Sequence, residues 1–379
     1  MLTRPALMDV AQDEIEDLRR RLRRTRWPTP WPAAPGWPGT DSDQLRRLVD
    51  YWTGGYDWRA NERQINALPW HQTEIEGLVV PFLRCDGEHA DALPIVLTHG
   101  WPSSYLELTA LAERLAAPSR HGGHPGDAFT VIVPSLPGFA LAPQPTVIPA
   151  SLPTHELWHR LMHDELGFAR YAAHGGDLGA GITSRLGQAH PDAVGGIHLL
   201  AVTDPPVVDA DSLTDDERSY LASVAAWRSD EGGYQHQQST RPRTLSYGLS
   251  DSPVGLLAWL LEKYQAWTDG GDHALPAPFT DDFVLTQASL YWFTNTISTS
   301  FRPYYEHGRG LVPPIERVTV PTGIAVFPAD LVQPPRSWAE RTYNVTRYSR
   351  MTRGGHFAAH EQPDLLATDL RDHFRYLRA

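Results

Sequence analysis

The stretch His174-Gly175-Gly176-Asp177-Leu178-Gly179-Ala180-Gly181 constrains this chain more than any other. It follows a short apolar run, Phe168 to Ala173, and leads into a helix-like stretch, Ile182 to Ala189. A strand, a glycine-flanked turn and a helix put the middle residue on a sharp elbow at the end of a sheet. Glycines on both sides permit the strained backbone and the close helix packing that such a turn requires. The middle residue is an aspartate. A serine there would need a base, whereas a carboxylate with a pKa near ~4 is already an anion at neutral pH. Such a nucleophile can displace a leaving group from an sp3 carbon, as in an epoxide or an alkyl halide. Taken alone, Asp177 reads equally well as the N-cap of the following helix.

Strand-like runs occur at Leu78 to Arg84, Ile95 to Thr98, Thr130 to Pro134, Tyr171 to His174 and Gly195 to Val202. Helical patterns lie between the later ones, at Tyr105 to Ala116 and Thr154 to Leu166. Apolar strands alternating with helices imply an α/β fold with a mostly parallel central sheet and covered faces. From about Asp204 to Pro314 the strand pattern stops, and helical stretches such as Ser252 to Trp267 and Asp281 to Thr299 take over. The β/α pattern resumes at Thr322 to Phe327 and Thr346 to Met351 and ends in a helix, Pro363 to Leu377. A helical block inserted into such a sheet is a lid or cap. Upstream, residues 12–27 read as a helix with Ile15, Leu18 and Leu22 on one face. Its arginines read as a solvated face rather than a membrane or nucleic-acid patch. Residues 28–75 are rich in Trp and Pro, with short helical pieces that wrap a core. The expected division is an N-terminal segment over 1–75, core over 76–204 and 315–379, and a helical cap over 205–314.

A net charge of −12 argues against a nucleic-acid partner. Cys85 is the only cysteine, so no internal disulfide calls for an oxidising compartment. There is no signal-peptide pattern, and no apolar run approaches the ~20 residues of a membrane span. A cytoplasmic protein without a membrane anchor is expected, and a homodimer is compatible with the sequence. Basic residues are nearly all arginine, Lys263 being the only lysine, a bias that points to a GC-rich bacterial source.

Three further pieces bear on chemistry. His99-Gly100-Trp101-Pro102 directly follows the strand Ile95 to Thr98. There the backbone N–H of Trp101, with that of Leu178, would form an oxyanion hole for an ester on Asp177. The His99 side chain reads as a loop anchor, and Trp101-Pro102 as a candidate cis bond. Gly354-Gly355-His356-Phe357 follows the last strand and places His356 as a general base for water; His360 sits too far along for the loop tip. The base needs an acid partner, for which Asp330 is preferred over Asp204, both following strands that end on the same rim. Opening an epoxide also calls for a proton donor. Phenols suit it, and the inserted block offers Tyr234, Tyr247, Tyr291, Tyr304 and Tyr305. Trp101, Phe139, Trp158, Trp227 and Trp292 read either as an aromatic, apolar pocket or as core.

Taken in order, these pieces resemble the microsomal-type epoxide hydrolases, including the juvenile-hormone epoxide hydrolases and soluble bacterial relatives. The motifs are the helix ending in TRWP, HGWPSSYLEL, PSLPGFA, HGGDLGAG, GYQHQQSTRPRTLSYGLSDSPVGLLAWLLEKY, RPYYE, FPADL and RGGHFAAHEQPDLL. The resemblance implies an α/β-hydrolase fold with a cap. It also implies Asp177 as nucleophile, His356 as base, Asp330 as acid, and Tyr234 and Tyr304 as epoxide-activating phenols, with Tyr305 adjacent to the last. No metal or organic cofactor is implied, and the partners are an apolar or aromatic epoxide and water. Leu178 stands where many relatives have tryptophan, which changes the pocket floor but keeps the N–H. The membrane anchor of the animal microsomal form is not expected here. A haloalkane dehalogenase shares the Asp-His-acid chemistry but usually has a tryptophan after the nucleophile. The sequence is also compatible with a specialised biosynthetic epoxide-opening enzyme, or with a non-catalytic ligand-binding protein of the same fold, although all the catalytic positions are filled.

Overall fold

Branched apolar runs build one sheet whose strand order brings the elbow and the HGWP loop together. A computed structural model of the chain describes residues 3, 8–29, 31, 32, 37–148 and 152–378. The strands are β1 Trp70–Ile75, β2 Leu78–Cys85, β3 Leu93–Thr98, β4 Phe129–Pro134, β5 Tyr171–Gly175, β6 Val194–Leu199, β7 Val318–Val326 and β8 Tyr343–Arg350. Their order across the sheet is β1-β2-β4-β3-β5-β6-β7-β8. β1 with β2 and β2 with β4 are antiparallel, and the remaining pairs are parallel. β4, β5 and β6 are almost wholly buried, as strands covered by helices on both faces must be. β4 lies on one side of β3 and β5 on the other, so the chain reverses direction across the sheet there. Thr98 and Gly175 are register partners at that point. Ligands of open α/β sheets bind outside the carboxyl ends of the strands at such a switch point. The parallel strands β5, β7 and β8 end on the same rim, so the segments after them converge.

Helices α1 Gln12–Arg23, α2 Ser42–Gly54 and α3 Trp58–Ala67 precede the sheet, and α4 Thr109–Ala116, α5 Thr154–His159 and α6 Asp177–Ala189 connect its first strands. Between β6 and β7 come α7 Asp215–Asp230, α8 Gly233–Thr240, α9 Pro242–Asp251, α10 Pro253–Trp267, α11 Asp281–Thr294, α12 Ile297–Ser300 and α13 Arg302–Gly308. α14 Arg336–Glu340 precedes β8, and α15 Ala358–Glu361 and α16 Pro363–Phe374 follow it. α10 is apolar nearly all round, from Val254 to Trp267, which suits a helix packed on every side. The N-terminal helices supply part of that packing. Trp52 Nε1 donates to Ser289 Oγ at 3.1 Å, Tyr56 and Thr286 share a hydrogen bond of 2.9 Å, and Gln265 Nε2 donates to Gln44 Oε1 at 2.7 Å. The segment thus braces α10 and α11 as well as the sheet.

Local structure departs from the sequence pattern in three places. β1 lies in the Trp- and Pro-rich stretch, and only Trp70 and Ile75 at its two ends are apolar. The helix begun by α5 widens into a π-helical turn over Arg160–Glu165. The helical run through Thr299 is broken at Asn295, whose φ of 50° ends α11. Among the described residues no helix is long and apolar enough to cross a membrane.

Candidate active site

Asp177 has φ 48°, a left-handed conformation that side chains rarely adopt and that marks a strained turn. The glycines around it are set by close approach. A Cβ on Gly175 would lie 2.2 Å from the Gly179 carbonyl oxygen, and one on Gly179 would lie 2.1 Å from that of Thr98. The Asp177 carboxylate does not cap its helix. Gly176 holds the cap position of α6, and Asp177 Oδ1 accepts a hydrogen bond of 2.8 Å from the Trp101 N–H. Leu178 follows in the first turn of α6, where backbone N–H groups lack helical acceptors. The Trp101–Pro102 bond is cis. His99 anchors the loop: Nδ1 bonds the Gly100 carbonyl oxygen at 3.1 Å, Nε2 accepts from the Leu136 N–H at 3.1 Å, and burial lowers its pKa to about 4.

His356 Nδ1 lies 2.7 Å from Asp330 Oδ1, and its Nε2 lies 3.6 Å from Asp177 Oδ2. Burial acts to lower the imidazole pKa, but the charges of Asp330 and Asp177 outweigh it and hold the pKa well above the usual value. The His356 loop is tied to the end of α10. The His356 N–H donates to the Trp267 carbonyl oxygen at 2.8 Å and the Gly354 N–H to Asp269 Oδ2 at 2.7 Å. The Asp269 N–H in turn donates to Glu361 Oε2 at 2.8 Å. Of the two acid candidates, the structure brings Asp330 to the imidazole; Asp204 is exposed and lies 3.6 Å from Arg228. His360 bonds the Pro278 carbonyl oxygen instead.

Of the tyrosine candidates, Tyr234 on α8 and Tyr304 on α13 come together over this rim, their rings 6.0 Å apart. Trp101 stacks parallel on Tyr234 at 5.4 Å and meets Tyr304 edge-on at 6.0 Å. Burial first, and the Asp177 charge next, push both phenols well above the usual tyrosine pKa, so both are held as proton donors. The buried Tyr304 hydroxyl lacks a hydrogen-bond partner, although the Tyr234 phenol is near enough to affect its acidity. Such orphaned groups call for an explanation, and a bound ligand oxygen is one. Tyr305 lies under the Arg309 guanidinium, Tyr291 donates to the Ser103 carbonyl oxygen, and Tyr247 is exposed.

Among the aromatic residues, Trp101 lines the site and Trp227 meets Tyr234 edge-on at 6.4 Å. Phe139 packs against His99, Trp158 is buried in α5, and Trp292 lies beneath Arg21, so these three serve as packing. Sequence reasoning missed two residues of the wall. Trp267 lies 5.0 Å from Tyr234 and 5.1 Å from His356, between the two. Glu107 shares with Asp177, His356 and Trp101 a small cavity, and burial pushes its carboxyl pKa up to about 7. Its only sequence signal was a glutamate among apolar residues in SSYLEL.

Residues 3–108 match the family described as the epoxide hydrolase N terminus, and residues 94–242 match the α/β hydrolase fold. A Stigmatella aurantiaca relative is 41% identical over 379 residues, covering 99% of this chain and 85% of its own. Epoxide hydrolase 1 of Sus scrofa is 33% identical over 403 residues, covering 97% and 87%. The chain belongs to the epoxide hydrolase family. The solved structure of the Aspergillus niger epoxide hydrolase superposes with a TM-score of 0.84 at 31% identity, over 98% of this chain and 96% of that one. This epoxide hydrolase therefore has the α/β-hydrolase fold that its sequence motifs implied, and it is an enzyme of the hydrolase class.

Proposed function

We propose that the enzyme converts an epoxide to a vicinal diol through a covalent ester on Asp177. The observation that carries this reading is the unequal setting of the two carboxylate oxygens. Oδ1 is held by the Trp101 N–H, while Oδ2 faces His356 across 3.6 Å. Oδ2 is thus the atom free to attack a ring carbon. The carbon–oxygen bond breaks, its electron pair goes to the ring oxygen, and Tyr234 or Tyr304 supplies the hydrogen bond and proton. His356, oriented by Asp330, then takes a proton from water as the water oxygen attacks the ester carbon. Negative charge develops on Oδ1, where the N–H groups of Trp101 and Leu178 stabilise it. Collapse expels the diol oxygen, which takes the proton held by His356. The second water proton passes from the new carboxyl group to the deprotonated tyrosine, returning the carboxylate.

The aromatic wall of Trp101, Trp267 and the two tyrosines supports an apolar or aromatic epoxide as substrate. Within this reading the helices from α7 to α13 act as the cap that delivers the phenols. A place in bacterial secondary metabolism belongs to the same reading; its support is the arginine-rich composition and Leu178, and the neighbouring genes test it. The direct test is His356→Gln with a panel of aryl, alkyl and polycyclic epoxides. An ester should accumulate with a mass gain equal to the substrate, and absence of any adduct across the panel refutes the mechanism.

A haloalkane dehalogenase has one observation in its favour. The indole N–H groups of Trp101 and Trp267 are buried without acceptors, their rings 6.3 Å apart, and such donors can cradle a halide. The paired phenols suit an epoxide oxygen better, and halide release from a bromoalkane separates the two.

A further inference from the structure

Lys263, the single lysine of the chain, is buried on α10. Taking an ammonium out of water is costly unless the charge finds partners. One partner is Glu262, whose Oε1 lies 2.6 Å from Lys263 Nζ. The others are two aromatic rings: Nζ lies 4.8 Å from the centroid of Tyr234 and 5.6 Å from that of Trp267. Glu262 keeps 23% of its side chain exposed, and Lys263 only 3%. A lysine that served only that ion pair would reach solvent with its partner, as long cationic side chains do. This one is turned inward, onto a tyrosine of the proposed site.

Of the other groups that bear on Tyr234, the Tyr304 hydroxyl favours negative charge on its phenol, and the rest oppose it. Burial does so, and so do the carboxylates of Asp177 and Glu231. Among the described residues, Lys263 is the cation placed over that ring. As the epoxide carbon–oxygen bond breaks, the ring oxygen gains the electron pair and draws on the phenol proton. The phenol oxygen becomes partly anionic, and that density spreads into the aromatic ring. A cation over the ring is then attracted more strongly in the transition state than in the resting site, which is the condition for accelerating a step.

We propose that Lys263 is a positioning residue for epoxide opening, fixing the Tyr234 ring and stabilising the negative charge that its phenol acquires. The proposal rests on the roles given above to Asp177 and Tyr234. It concerns ester formation and leaves ester hydrolysis, the work of His356 and water, unaltered.

The test measures the two steps separately, by quenched single turnovers read as intact mass. Lys263→Met keeps the aliphatic stem and removes the charge; Lys263→Arg keeps a cation. Lys263→Met should slow ester formation about ten-fold, the size of a desolvated cation–π contact. Ester loss should not change, and Lys263→Arg should recover most of the rate. In a Tyr234→Phe background the penalty of Lys263→Met should vanish, since the two residues act as a pair. Equal slowing of both steps, an Arg variant as slow as Met, or an undiminished penalty without the phenol each overturn the proposal. The unmutated chain offers a second readout. Selective 13C-lysine labelling gives one ε-methylene signal, which the two rings should displace upfield; an unshifted signal also overturns the placement. A wild-type enzyme that forms no ester with any epoxide overturns instead the reading on which the proposal rests, so the two failures are distinct.

Discussion

The Trp101 N–H is hydrogen-bonded to Asp177 Oδ1 at 2.8 Å before any substrate arrives. In the proposed mechanism the donor needed by the tetrahedral intermediate is therefore already directed at the oxygen that would carry the charge. Oδ1 stays on the aspartate throughout that mechanism, and water delivers its oxygen to the Asp177 carboxylate. In H218O under single-turnover conditions, one heavy oxygen should appear in the peptide containing Asp177 and none in the diol. Label found first in the diol means that water attacks the epoxide directly, and the ester mechanism fails.

Gly100 is the residue that lets Trp101 reach Asp177. A Cβ there would lie 2.4 Å from both Cβ and Oδ1 of Asp177. Gly100→Ala should displace the nucleophile and lower kcat by roughly a hundred-fold, the usual cost of an ångström of misplacement. Gly181→Ala is the control: nothing lies within 4 Å of its Cβ and the helix favours alanine, so activity should persist. Wild-type turnover in Gly100→Ala would mean that the Trp101 contact is dispensable.

What could be read in the sequence was whatever depends on backbone conformation. The Asp177 elbow, the HGWP loop and the His356 loop each announce themselves through glycines at places where a side chain cannot fit. Choices among like residues were not readable. Asp330 and Asp204 both follow strands on one rim, and only the path of the chain decides which meets His356. Tyr304 and Tyr305 differ by one helical position, about 100° of rotation, which sends one to the site and the other toward Arg309. Trp267 and Lys263 lie in a helix so apolar that their facing is masked by ordinary core pattern. Glu107 carries no motif of its own; its environment, not its identity, makes it unusual.

Glu107 should leave a signature in stability. Its folded pKa of about 7 lies above an unfolded value near ~4.3. Folding then favours the protonated acid, so the penalty is absent below the unfolded value, grows between the two and is complete above about 7. Glu107→Gln should stabilise the protein in mild alkali by about 4 kcal/mol at most, following the shift at 1.36 kcal/mol per unit. The gain should shrink to nothing as the solution is acidified through the window. A gain in denaturant unfolding that is constant with pH would assign the effect to packing instead.

His356 should titrate differently in the two halves of the cycle. In the resting enzyme the charges of Asp330 and Asp177 overcome burial and favour the imidazolium. In the proposed mechanism, ester formation neutralises Asp177 and removes one of those charges, so the pKa of His356 falls as the step that needs a neutral base begins. Ester hydrolysis should therefore rise with pH through that lowered value, and acidification should make the ester accumulate while ester formation continues. Asp330→Asn removes the larger of the two favouring charges. It should move the hydrolysis limb to still lower pH and, because the ring loses its orienting partner, lower the plateau by at least roughly ten-fold. Single-turnover ester decay across the acid-to-neutral range reads both effects. A limb that stays in place in Asp330→Asn would show that Asp330 does not set the acidity of the base.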